Sequence, residues 1–501
     1  MIEVEDKFRV HPAFVLPDLR AAEAVAAVSP PRQDVLTAVY HDTADLRLAR
    51  EGITLRHRTE TGTCGWQLKL PVPGAPAGVR DEIHEDGPGE RMPERLRGLV
   101  TAYVRRAELH PRATLTTDRT TYDLLSADGT VLAELVDDRV DAVSEGANAA
   151  QFREIEVEDR AGGSAVLDAV GAVLRDAGAV AGEFQPKVVR ALGVQATAPA
   201  EPPQPQPVEA ASPVRLLIAA VLQRHVRRLL AHDVGVRLDA DDAVHQMRVA
   251  ARRLRSALRD VEPLLDPAWG QRLQDELRWL GGSLGAGRDT EVVTARLLSS
   301  LAELPADSVV LGAGRRLSTM LDADAAGARG SVESALHSER YLTLLEDLVD
   351  AATHPRTDDA AELPCAEVLP DLFDASWRRL AKRAKAAQQP DAEPAALHKA
   401  RIAAKRTRYL VGAMGDVYGR PAERLEGRLK DLQDVLGEHQ DAMAAMAVLR
   451  RAALEPRVGR AAFTYGVLHG REEQAAARAR AAFHEMWPRV SRPKHRRWAE
   501  S

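Results

Sequence analysis

Two hydrophobic rhythms divide this chain. Up to about residue 195, apolar and polar positions alternate in short runs bounded by Gly, Pro and Asp: "IEVEDKFRV", "ITLRHRTE", "GWQLKLP", "VRDEIHE", "DRTTYDLL", "VLAELVDDRV" and "FREIEVED". A period of two puts successive side chains on opposite faces of a strand, so these runs predict a largely antiparallel sheet. Asp18 to Ala27 and Ala165 to Ala177 have helical spacing instead, which makes the first half α+β. From Val214 to Met486 almost everything is 3.6-periodic, broken mainly at Pro263, Pro305, Pro355, Pro390 and Pro456, and predicts an all-α half. Between them, in "TAPAEPPQPQPVEAASP", periodicity vanishes and proline recurs every second or third residue, as in an extended, semi-rigid spacer. The expected organisation is a domain over residues 1–195, a linker over 196–213 and a helical domain over 214–490.

The polar faces of the strands carry charge of both signs. Glu3, Glu5 and Lys7 share one face of the first run, with Arg9 extending the row. Arg56 and Arg58 follow, then Lys69, Arg80 with Glu82, Arg119, Glu134 with Asp137 and Asp138, Glu154 with Glu156 and Glu158, and Lys187 with Arg190 in "PKVVR". The opposite parity is commonly apolar, as at Phe8, Leu55, Leu68, Leu70, Ile155 and Val157. A single such strand is an ordinary sheet with one wet face. Several together, repeating Arg and Glu instead of mixing in Thr, Ser and Gln, indicate a polar tunnel inside a closed sheet, which takes roughly eight strands. Carboxylates near residue 5 and near residue 156 suit a hard divalent cation, Mg²⁺ or Mn²⁺. The Arg forks and Lys ammonium groups suit the oxygens of an oligophosphate. In-line attack by an activated water needs no covalent nucleophile, so His41, His57 and Cys64 are given no role, and Trp66 is read as packed.

The helical half contains an internal repeat. "VHQMRVAARRLRSAL" from Val244 matches "LHKARIAAKRTRYLV" from Leu397, and "LRWLGGSLGAGRDT" matches "LKDLQDVLGEHQDA", aligning Gly285 with Gly437 and Asp289 with Asp441. Two related helical bundles, over about 214–353 and 363–487, are expected. His245, Arg248, Arg252, Arg255 and Arg259 form one basic stripe along a helix; His398, Arg401, Lys405 and Arg408 repeat it. Neither stretch contains an acid, although like charges at this spacing cost a few tenths of a kcal/mol per pair. That points to a groove for a polyanion, with Arg253 and Arg406 adjoining. Gly285 with Asp289, and Gly437 with Asp441, read as a helix stop followed by an N-cap. A histidine followed by Arg at i+3 and i+7 is a poor cation ligand set and suits phosphate better.

Composition narrows the class further. The chain has 501 residues, enough for two or three domains, and its 4% aromatic content favours helix over a β-sandwich for much of the length. Cys64 and Cys365 are the only cysteines, so a disulfide framework or a cysteine metal site is excluded. No apolar signal core opens the chain and no 18-residue apolar run occurs, so a soluble cytoplasmic protein with no membrane partner is expected. The stripes lack both known nucleic-acid motifs and aromatic stacking platforms, so no nucleic-acid partner is expected.

"EVEDK" fits the E-x-E-x-K signature of CYTH domains, the triphosphate tunnel metalloenzymes, and the resemblance continues in order through "GITLRHR", "WQLKLP", "RDEIHE", "ELVDDRV", "REIEVE" and "PKVVRAL". It implies an eight-stranded β-tunnel that hydrolyses a triphosphate-containing substrate with Mg²⁺ or Mn²⁺. By that resemblance Glu3, Glu5, Glu154, Glu156, Glu158 and Asp138 belong to the metal site. Lys7, Arg56, Arg58, Lys69, Arg80, Arg119, Lys187 and Arg190 hold phosphates, and Glu3, Glu5, Lys7, Glu154 and Glu156 carry catalysis. His84 departs from the pattern, standing where the family often has another acid. The helical repeat resembles the CHAD domain over roughly 213–490, which implies binding of inorganic polyphosphate at His245, Arg248, Arg252, Arg255, Arg259, His398, Arg401, Lys405 and Arg408. A metal-dependent triphosphatase acting on tripolyphosphate or short polyphosphate, with association to polyphosphate granules, is therefore the leading expectation. Its alternatives are a non-catalytic polyphosphate-binding protein and a tunnel enzyme acting on ATP or thiamine triphosphate.

Overall fold

The computed structural model describes residues 2–499 apart from 61–62, 73–78, 88–90, 145–146, 183–185 and 457. The chain divides into two compact units, residues 1–201 and 202–501. The first unit runs β1 (Ile2–Val10), β2 (Ala27–Val28), β3 (Arg32–Asp42), α1 (Arg47–Arg50), β4 (Thr54–Glu60), β5 (Thr63–Pro71), β6 (Val79–Asp86), α2 (Glu94–Val104), β7 (His110–Leu125), β8 (Val131–Ser144), β9 (Ala147–Asp159), α3 (Gly163–Asp176), β10 (Val180–Ala181) and α4 (Lys187–Leu192). Eight strands close on themselves in the order β1-β6-β5-β4-β3-β7-β8-β9, every neighbour antiparallel. Closure is made by β1, whose Glu3 lies opposite Arg80 of β6 and whose Lys7 lies opposite Glu156 of β9. The short strands β2 and β10 pair with β7 and β1.

The period-two pattern decides which face goes where. Phe8, Leu124, Leu135, Ile155 and Val157 face outward and bury themselves against Val166, Val170 and Leu174 of α3. The other parity faces the interior, and it changes character along the ring. Toward one end it is charged; toward the other Ala38, Leu115, Val140 and Ala142 pack against Val188 and Ala191 of α4, with Phe152 alongside. An apolar plug therefore closes that end of the tunnel.

Several expectations are corrected here. "PKVVR" is not strand-like: it opens the helix α4, which places Lys187 and Arg190 one turn apart. Asp18 to Ala27 is not an α-helix but a single 3₁₀ turn, Leu19–Ala21; Ala22 is already extended and Ala24 has a φ of +77°. The strand β3 and the helix α2 were not anticipated. Residues 165–177 do lie in or beside a helix, α3.

The second unit contains ten α-helices among the described residues: α5 (Val214–Arg237), α6 (Ala243–Asp260), α7 (Pro267–Ser283), α8 (Gly285–Ala302), α9 (Ala313–Leu336), α10 (Glu339–Thr353), α11 (Cys365–Ala387), α12 (Pro394–Tyr418), α13 (Arg420–Ala453) and α14 (Ala461–Val490). The five prolines expected as breaks all fall between helices. The two repeats start alike and touch where they start. Pro213 and Pro364, the N-caps of α5 and α11, are bridged, with Val214 N donating to Leu363 O and Cys365 N donating to Ser212 O. The helix-stop reading holds for neither copy in full: Gly285 begins α8 after a one-residue turn, but Gly437 and Asp441 lie inside the unbroken α13. The proline-rich stretch has no regular structure around residues 203–209 and is tied to this unit: Arg227 donates to Pro202 O, Ala366 N donates to Ala210 O, and Val208 is buried.

Candidate functional site

The charged part of the ring interior encloses a cavity of about 540 Å³ lined by Glu5, Lys7, Arg56, Arg58, Lys69, Arg80, Glu82, Arg119, Glu156, Glu158 and Lys187, together with Tyr40 and Gln67. Cross-strand pairing gathers them. Residues directly opposite in antiparallel strands share a face, so Lys7 meets Glu156, Glu5 meets Glu158, Tyr40 meets Arg56 and Arg119 meets Asp138. Lys187 enters from the first turn of α4.

Glu156 is the hub. Lys7 Nζ donates to it at 2.7 Å and lies 2.9 Å from Glu5; Lys187 Nζ donates to it at 2.8 Å; Arg119 stands 3.7 Å away. Burial alone would push the Glu156 carboxyl up, but Lys187, Lys7 and Arg119 outweigh it and hold the group well below the usual carboxylate range. Burial would likewise lower Lys7 and Lys187, and their surrounding carboxylates reverse the sign, so both ammonium groups stay charged. Glu5, Glu156 and Glu158 each offer an oxygen within 4.8 Å of the others. Three carboxylate oxygens at this separation could hold a hard divalent cation.

The cations are aimed by neutral and acidic partners behind them. Arg56 donates to Gln67 Oε1 at 2.7 Å and to Tyr40 OH at 2.9 Å. Arg119 grips Asp138 through two hydrogen bonds of 2.9 and 2.7 Å, and Lys187 also reaches Asp138. Burial, then Arg56 and Arg119, push the Arg58 guanidinium below its ordinary value, the signature of a positive field that an anion would relieve.

The second unit gathers cations of its own. Helices α6 and α12 pack together across the two repeats. Lys405 is pushed down to about 6 by burial and then by Arg252, Arg401, Arg408 and Arg248, which places the stripes of both helices in one patch. The Nε–H groups of Arg252 and Arg408 are buried and donate to no partner. Arg248 lies over Gly285, whose missing Cβ would stand 3.5 Å from its Cζ; Arg401 lies over Gly437 in the same way, 3.8 Å from Nε. The repeat glycines thus face the guanidinium groups, with space there for no side chain much larger than a methyl group. His398 shares a 2.7 Å hydrogen bond with Gln440.

Residues 1–177 match the family model described as the CYTH domain, and residues 220–450 match the one described as the CHAD domain. An uncharacterized protein of Mycobacterium tuberculosis H37Rv is 36% identical over 96% of this chain and 94% of its own length. The chain belongs to the CYTH–CHAD proteins. Among solved structures, the chain is similar to PptA from Streptomyces chartreusis (26% identity, TM-score 0.48, covering 55% of this chain and all of that one). It is also similar to the CHAD domain from the plant Ricinus communis (28% identity, TM-score 0.47, covering 58% and 96%).

Within the CYTH domain the structure separates the expected site residues into three places. Glu5, Lys7, Arg56, Arg58, Lys69, Arg80, Arg119, Glu156, Glu158 and Lys187 line the cavity. Asp138, Glu154 and Arg190 lie behind its wall. Asp138 is fully enclosed by Arg119 and Lys187, outside the three-carboxylate group. Glu154 is buried with Lys187 at 3.4 Å and Arg190 at 3.3 Å, and Arg190 stacks over the Phe152 ring, 4.4 Å from its centroid. These three position cations and join the cavity to the plug. The Glu3 side chain lies outside the described residues. His84 lines the cavity 3.3 Å from Glu82, and Trp66 is buried beside the His41 and His57 rings.

Tyr40 and Gln67 were not singled out from the sequence. The alternation Leu36, Ala38, Tyr40 was the available signal, but β3 contributes little charge to the interior. Arg160, 3.0 Å from both Glu134 and Glu158, was missed because it follows the last strand. In the CHAD domain Arg278 of α7 was missed too; after burial, it is the largest influence pushing the Arg255 guanidinium down.

Proposed function

We propose that the CYTH domain hydrolyses the terminal phosphoanhydride of tripolyphosphate or short inorganic polyphosphate with a divalent cation, and that the CHAD domain retains polyphosphate on α6 and α12. The observation that carries this reading is the coexistence, in one cavity, of phosphate-binding cations and three carboxylates within 4.8 Å. A site built only to grip polyphosphate would want cations alone; carboxylates there repel the ligand unless a metal ion intervenes.

Glu5, Glu156 and Glu158 would hold the cation, which supplies charge neutralisation on the phosphate chain and a more acidic water. Arg56, presented by Gln67 and Tyr40, offers its remaining N–H groups to phosphate oxygens, with Arg58, Lys69 and Arg80 completing the cationic wall. Lys7 and Lys187 carry fixed charge at the carboxylate end, where Asp138 keeps Arg119 and Lys187 in place before substrate arrives. No side chain is required as a nucleophile. Among the described residues Tyr40 is buried with Arg56 over its ring, 5.7 Å from the centroid, and Trp66 is buried away from the lining, so neither offers a free face to a nucleobase. That favours an inorganic chain over ATP.

The test is phosphate release from tripolyphosphate, long polyphosphate, ATP and thiamine triphosphate, with Mg²⁺ or Mn²⁺ and with chelator. Expected is metal-dependent release from tripolyphosphate that Glu156→Gln abolishes. Chelator-resistant release, or full activity in the variant, defeats the tunnel mechanism; binding without any release selects the non-catalytic alternative.

A further inference from the structure

The CHAD domain contains a cavity unlike either polyphosphate site. About 230 Å³ in volume, it is walled by Leu217, Ile218 and Val221 of α5, Leu258 of α6, Leu369 of α11 and Leu410 of α12. A bare phosphate chain gains nothing from such walls. At about 150 Å³ a dry apolar cavity already accommodates a benzene ring, so this one has space for a ring and a polar head.

Arginines predominate among the polar groups on its border, and two of those groups, Arg253 and His225, hold a buried nitrogen without a partner. Arg228 and Arg253 form no ion pair with any described residue, and Arg253 lies over the Tyr409 ring, 5.6 Å from its centroid. Arg253 Nε and His225 Nδ1 are buried without a hydrogen bond. Burial, then Arg253, Arg228 and Arg224, hold the His225 imidazole down at about 3, so it is neutral beside three guanidinium groups. Only Arg224 has its charge met, by Asp416 at 2.7 Å. Two acids also border the space. Burial pushes the Asp260 carboxyl up to about 7, and Glu426 packs over Gly412, 3.2 Å from where a Cβ would stand.

We propose that this cavity binds a small phosphate monoester with a hydrocarbon body, the body among the leucines of α5, α6, α11 and α12 and the phosphate against Arg228, Arg253 and His225. The two guanidinium groups supply forked donors, and a phosphate monoester can both accept from arginine and share a proton with a neutral imidazole. A carboxylate offers less to this set, and inorganic phosphate leaves the apolar wall wet. The site stands apart from the proposed hydrolysis in the CYTH domain.

Calorimetric titration of the full chain with phenyl phosphate tests it, beside inorganic phosphate and phenol at equal concentration. Saturable binding of phenyl phosphate is expected, weakened at least about tenfold by Ala257→Phe, which fills the cavity, and several-fold by Arg228→Gln on the exposed rim. The paired variant Arg252→Glu/Lys405→Glu is expected to keep it, which separates this cavity from the basic stripes. Tripolyphosphate hydrolysis in Ala257→Phe and Arg228→Gln is expected to match the parent chain. Absence of binding, equal binding of inorganic phosphate, or an affinity unmoved by both cavity variants overturns the proposal; should Ala257→Phe fail to fold by circular dichroism, Arg228→Gln decides.

Discussion

At the scale of single residues, the chain makes charge do structural and chemical service together. Glu156 sits among Lys7, Lys187 and Arg119, so removing its charge takes away the one carboxylate that all three buried cations share. Glu156→Gln is therefore expected to lower thermal stability by about 3–5 kcal/mol as well as abolish phosphate release, which a melting curve would show. Glu158 separates the two effects because its partner Arg160 is half exposed. Glu158→Gln should fold normally, yet need about tenfold more Mn²⁺ for half-maximal phosphate release. Lys405 gives a pH prediction. Its folded pKa of about 6 lies below the unfolded value of 10.5, so the unfolded chain binds more protons between those limits and stability without ligand rises with pH across them. A polyanion favours the charged ammonium, so polyphosphate affinity should fall as pH rises from 6 to 8, by up to about tenfold per pH unit. Lys405→Arg keeps its charge throughout, and should lose that share of the pH dependence. An unchanged pH profile in that variant would refute the assignment.

At the scale of elements, legibility followed periodicity and failed where tertiary packing overrode it. The charged strands were readable because one parity was apolar and the other repeated Arg and Glu. By contrast β3 was passed over: its interior positions include Ala38 and Tyr40, and their role is to plug the ring and orient Arg56. Lys187 and Arg190 were found as charges but assigned to a strand, since six residues are too short for helical spacing to show. Asp138 read as a ligand because sequence gives type and parity, not which acid the neighbouring cations enclose. The glycine repeat was recognised as an alignment, but its meaning needed both helices at once. Gly437→Ala puts a methyl group 3.8 Å from Arg401 Nε, an ordinary contact, and should stabilise α13 by about 0.5–1 kcal/mol. Gly437→Leu should instead displace Arg401 and weaken polyphosphate binding several-fold with little change in melting temperature.

At the scale of the whole molecule, the sum of charge hides its distribution. A formal charge of −6 coexists with an acid-free stripe on each of α6 and α12. No described helix is long and apolar enough to cross a membrane. If the CHAD domain serves to keep a polymer near the CYTH domain, Arg252→Glu/Lys405→Glu should slow release from long polyphosphate at low concentration and leave tripolyphosphate turnover alone. Equal effects on both substrates would point to a folding defect or to direct participation.

The plug formed by α4 has a further consequence. With Val188 and Ala191 filling one end of the ring, the CYTH domain has a blind alley where a through-passage would otherwise be. Under the proposed hydrolysis, a polymer would enter only by its tip and have to back out, so cleavage would proceed from chain ends, one encounter at a time, and a bead-blocked end would protect the whole strand from attack.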